Sequence, residues 1–148
     1  MKKILFCLSV LLIFTACVTF RVEEDEVFAI IELINVGKVE ELTNICQTPF
    51  LLDGEIIALA NDVKTLWSNL KEVGFKLSKP HVQEIIPVTD STARMFSESW
   101  EVSVFFNKYV PENSVVARIK TEKGTFLLLL DGEIQGFAQI IGFKGPEI

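Results

Sequence analysis

The chain has 148 residues, 49% of them hydrophobic and 23% charged, with a formal net charge of −6. That length accommodates one domain with a sizeable core and leaves little room for a second. The acidic balance repels polyanions, so nucleic acid and anionic lipid surfaces are excluded as favoured partners.

At the N-terminus, Lys2 and Lys3 precede an almost unbroken apolar run from Ile4 to Phe14, and the small pair Thr15-Ala16 leads directly to Cys17. A basic patch, an apolar stretch and small residues are the three parts of a secretory signal. The arrangement resembles the lipobox of bacterial lipoproteins, in which a peptidase cleaves just before a cysteine whose thiol takes a diacylglyceryl group. The resemblance implies that residues 1–16 are a signal peptide, that Cys17 is the lipidation site, and that residues 17–22 are a short lipidated tether. The partner reached through the lipid is then the membrane, and the domain is extracytoplasmic, on the cell membrane or the outer membrane. Val18 stands where enteric relatives retained at the inner membrane carry Asp, which favours the outer membrane where one exists. Each buried methylene contributes roughly 0.8 kcal/mol, so one acyl chain holds a protein marginally and two hold it stably. The alternative is an uncleaved anchor, because the apolar stretch continues with interruptions to Phe20 and approaches the roughly 17 residues a spanning helix needs. Thr15 and Ala16 weaken that run where a cleavage site needs small residues.

With Cys7 removed and Cys17 acylated, Cys46 is the remaining thiol and no intramolecular disulfide can form. Its neighbours Ile45, Gln47 and Thr48 supply no base or cation, so packing is its expected role. One His and one thiol cannot furnish a spaced ligand set; neither a metal nor a cofactor is expected.

From Glu23, the spacing of Val27, Ile30, Ile31 and Ile34 predicts a helix, with Glu23 to Glu26 at its positive end and Gly37 as its stop. Val39, Leu42 and Ile45 predict a short second helix. Asp53-Gly54 between apolar residues predicts a tight hairpin with a type I′ turn. Leu59, Val63, Leu66, Trp67, Leu70 and Val73 then form an amphipathic stripe closed by Gly74, the longest expected helix. From Pro80 the period changes to two: Val82, Glu84, Ile86 and Val88 alternate, and Ala93 to Tyr109 reads as a long strand. In that strand Phe96, Trp100, Val102, Val104 and Phe106 share the buried face, while Ser97, Ser99, Glu101 and Ser103 share the wet one. Pro111-Glu112-Asn113 is a turn, Ser114 to Thr121 a strand, and Lys123-Gly124 a second turn. Thr125 to Leu130, Asp131-Gly132 and Glu133 to Phe143 form a closing hairpin, with Gly136 marking a kink.

Helices followed by a meander of antiparallel strands describe a single α+β domain over residues 23–148, with helices packed on one sheet face. The segments PFLLDGEII, ALANDVKTLWSNL and FLLLLDGEIQGFAQIIGF resemble the nuclear transport factor 2-like superfamily, cystatin-like cones in which a bent sheet wraps a long helix. The resemblance covers about Glu23 to Phe143. It implies a pocket between sheet and helices, where relatives bind small ligands or perform isomerase and dehydratase chemistry.

Glu98 interrupts the apolar face of the expected long strand, where a carboxylate has its charged form disfavoured and can act as a base or a ligand anchor. The plainer alternative, that Glu98 lies near an open sheet edge or pairs with Arg118 or Arg94, is favoured. His81, the sole histidine, is the second catalytic candidate, although a strand-end histidine is more often solvated. Trp67, Phe96 and Trp100 are candidates for an aromatic ligand wall with Arg118 as a polar member, but they also match core periodicity. Asp53 and Asp131 precede Gly and are turn residues first. The expected function is non-catalytic binding of a small apolar ligand or an envelope protein. The alternatives are a small isomerase, dehydratase or hydrolase using Glu98 or His81, and a structural envelope protein.

Overall fold

The computed structural model describes residues 22–132 and 138–147. The expected signal peptide, Cys17 and Gly136 lie outside them. Among the described residues no helix is long and apolar enough to cross a membrane.

Helix α1 spans Glu24–Val36. Its start is fixed by the Glu23 N–H donating to the Glu26 carboxylate at 3.0 Å, half of a reciprocal cap, and by acidic residues on the positive end of the helix dipole. Gly37, at φ 73°, ends it. The Lys38 N–H reaches back to the Leu33 carbonyl at 3.0 Å, which satisfies an otherwise orphaned acceptor. Val27, Ile30, Ile31 and Ile34 are its buried stripe. Helix α2 follows at Val39–Asn44, then strands β1 (Cys46–Leu52) and β2 (Glu55–Ile57). Asp53 takes φ 54° and Gly54 has no positive φ. The hairpin is therefore real, but its turn is not type I′, which needs a positive φ at both central residues. Helix α3 covers Ala60–Glu72, with Val63 and Trp67 buried; it equals α1 in length.

Strand β3 is His81–Pro87. The expected strand over 93–109 is instead two helices, α4 (Ala93–Phe96) and α5 (Trp100–Tyr109). Ser99 caps α5 by accepting from the Val102 N–H. Helical geometry then buries Val102, Phe105 and Phe106 and leaves Trp100 75% exposed. Strands β4 (Val115–Thr121), β5 (Gly124–Asp131) and β6 (Gln139–Glu147) complete the chain.

The six strands form one curved, unclosed sheet in the order β2-β1-β6-β5-β4-β3. It is mixed rather than antiparallel, because β1 runs parallel to its neighbour β6. Gly142 lies at that junction, where a Cβ would stand 2.9 Å from the Leu51 carbonyl oxygen. Helices cover both sheet faces, not one. On the first face Ala117, Ile119, Phe126, Leu128, Leu130 and Ile140 meet α1, α2 and α3. On the second, Val116, Leu127, Leu129 and Ile141 meet α4 and α5. A bulge between Val82 and Glu84 switches the parity of β3. Val82 thus joins the first core, while Ile86 and Val88 pack on the second.

Candidate functional site

The space between α1–α3 and the sheet is where a cone would hold a ligand, and aromatic side chains fill it. Trp67, 2% exposed, packs edge-on to Phe50 at 6.4 Å and against Phe143 at 5.9 Å. Phe126 stacks on Phe143 at 5.7 Å, and Phe75 meets both edge-on. The Trp67 indole N–H donates to the Cys46 sulfur at 3.3 Å. Burial pushes the Cys46 thiol up to about 12, against the opposing pull of the indole donor. A thiol held protonated at neutral pH is neither nucleophile nor metal ligand.

The candidate residues do not converge. His81 is exposed at the start of edge strand β3, opposite Lys120. Glu98 is not on a buried strand face; it is exposed in the bend between α4 and α5. The adjacent Ser97 packs on Gly54 of the β1–β2 turn, near the other edge of the sheet. Four inter-strand steps separate β1 from β3, about 20 Å along the sheet, so the two groups share no reacting position. Trp67 belongs to the first core and Phe96 to the second, where Phe96 meets Phe106 at 5.7 Å. Trp100 is on the surface. Arg118 pairs with Glu84 at 3.1 Å and Glu147 at 3.8 Å rather than with Glu98, and its buried Nε has no hydrogen-bond partner. Among the described residues, no three or more His, Cys, Asp or Glu side chains are grouped to hold a metal.

Two features escaped sequence reading. Asp131 is not at a turn tip: it pairs with Gln139 across β5–β6, is 4% exposed, and accepts from the Gln47 amide at 2.6 Å. That amide also reaches the Gln139 side-chain oxygen at 2.7 Å, so the trio cross-links β1, β5 and β6 on their second face. The other feature is a groove of about 540 Å³ on the second face, between the β3–α4 connection and the C-terminal half of α5. Val88, Ala93, Phe106 and Val110 form its apolar surface, and Thr89, Asp90, Ser103, Asn107 and Glu112 its polar one. Smaller grooves lie beside Val22 and β3 and on the outer side of α1. Neither His81 nor Glu98 lines any of the three. Compared with protein families, curated proteins and solved structures, the chain gives no match.

Proposed function

We propose that the chain is a lipid-anchored, extracytoplasmic lipoprotein whose nuclear transport factor 2-like domain binds a component of the cell envelope through its outer surface. The anchor reading rests on the basic, apolar and small-residue sequence ahead of Cys17. Residues 17–22, fully extended, span about 20 Å, which keeps the domain close to its bilayer. The cone reading is supported by the β1–β2 hairpin ahead of α3 and by α3 lying against a curved six-stranded sheet.

The observation that carries the binding reading is the filled interior. Among the described residues, Trp67, Phe50, Phe75, Phe126 and Phe143 pack against one another between sheet and helices, which favours recognition on the outside. Separation of His81 from Glu98 favours binding over proton-transfer chemistry.

Native mass spectrometry of the full chain released from its own envelope tests this. The expected species is the acylated polypeptide in fixed stoichiometry with a second envelope component. An apolar small molecule retained by the domain beyond its own acyl chains, with no such component, contradicts the reading.

A further inference from the structure

Two large apolar side chains stand in solvent at the β2 edge of the sheet. Ile56 is 41% exposed. It pairs with Leu51 across the β1–β2 hairpin and so shares the second face, where Leu51 is buried. Helix α5 lies against β2, and Ser97, three residues ahead of Trp100, packs on Gly54 of the hairpin turn. The start of α5 therefore stands beside the hairpin, and its first residue is Trp100, 75% exposed. Trp100 belongs to neither core, so its apolar area stays in water until a partner covers it.

The charges next to this pair are acidic. Glu55 precedes Ile56, and Glu98 and Glu101 stand on either side of Trp100 in the chain; all three are exposed. Among the described residues none of the three is in an ion pair. Uncompensated negative charge opposes an anionic lipid surface and complements a basic one. The N-terminal tether also enters elsewhere. Val22 is buried beside β3, five inter-strand steps from β2, about 24 Å along the sheet. Both facts favour a protein over the bilayer as the occupant of the β2 edge.

We propose that Ile56 and Trp100 form a docking surface for an envelope protein that offers an apolar pocket rimmed by Lys or Arg. A tryptophan seated in a desolvated pocket carries a large share of the affinity of a protein interface. Charges at the rim set the association rate and its salt dependence. The inference rests on the surface-binding reading and gives that reading its surface and the chemistry of its partner.

The test compares wild type, Trp100→Ala and the double variant Glu98→Gln with Glu101→Gln. Each is released as the full chain from its own envelope and weighed by native mass spectrometry at low and raised ammonium acetate. Wild type is expected to carry a protein in fixed stoichiometry and to shed it as salt rises. Trp100→Ala should lower the share of chains carrying that protein at least about tenfold, and the double variant should bind with little salt dependence. All three positions are exposed, so the variants should keep the wild-type melting profile. A lipid occupant is read separately, with the full chain added to vesicles of phosphatidylcholine and phosphatidylglycerol that carry brominated acyl chains. The emission that wild type has and Trp100→Ala lacks should stay unquenched. A complex undiminished by Trp100→Ala, a salt response equal in wild type and the double variant, or quenching by the vesicles overturns the proposal and leaves the binding reading standing. Wild type carrying no protein removes both.

Discussion

Cys46 shows how one contact sets the chemistry of a side chain. Its sulfur accepts from the Trp67 indole in the larger core, and burial holds its pKa at about 12 against an ordinary value of 9.0. The folded state therefore binds the thiol proton more tightly than the unfolded state does. Its contribution to stability is complete below about pH 9 and is lost as pH rises from there toward 12. Chemical denaturation at pH 8 and pH 10.5 should show wild type losing more stability over that interval than Cys46→Ala, and equal losses would remove the linkage. The inert role was legible from the absence of a neighbouring base in sequence. The Trp67 contact was not, because 21 residues separate the partners.

Among the elements, α5 separates two kinds of pattern. Its Val and aromatic residues favour strands, and Ser97, Ser99, Glu101 and Ser103 fall at every second position, so a period of two fits residues 97–103 apart from Glu98. Helical spacing is present in the same letters: Val102, Phe105, Phe106 and Tyr109 recur at three and four, and Phe105 packs at a tilt against Tyr109 one turn on at 5.7 Å. The start signal was legible too, with Ser99 as cap, Glu101 in the first turn and Lys108 in the last. The two patterns make opposite demands. A strand buries Trp100 and exposes Phe105, whereas the helix buries Phe105 completely and leaves Trp100 in solvent. Phe105→Ala should cost about 3–5 kcal/mol, and Trp100→Ala should stay within about 0.5 kcal/mol of wild type. Urea melts of both variants decide it; the reverse ranking would contradict the helix. Elements with a single dominant period, α1 and α3 above all, fall where their spacing predicts, although Leu59 and Val73, at the ends of the expected α3 stripe, are 63% and 77% exposed.

For the molecule as a whole, the sheet's two-sided burial explains both what could be read and what could not. Phe126 to Leu130 are five consecutive apolar residues, all buried, which is the signature of a strand covered on both faces. Among the described residues α4 and α5 cover the second face, so a strand over 93–109 leaves that face bare and puts the expected helices on one side. The parallel pairing of β1 with β6 joins the two ends of the domain and has no local sequence signal. The candidate site was less legible than the fold. Trp67, Phe96, Trp100 and Arg118 are spread over two cores and the surface, whereas the groove draws on the β3–α4 connection and on α5, which the strand reading over 93–109 merges with α4 into one extended element.

The proposed lipid on Cys17 would put whatever the outer surface binds at a membrane, because two acyl chains hold a protein stably. Labelling growing cells with a palmitate analogue tests this most directly, in wild type and in Cys17→Ala. Wild type should carry the label in the membrane fraction with a polypeptide beginning at Cys17, and Cys17→Ala should carry none. An unlabelled wild-type protein that retains residues 1–16 would contradict it.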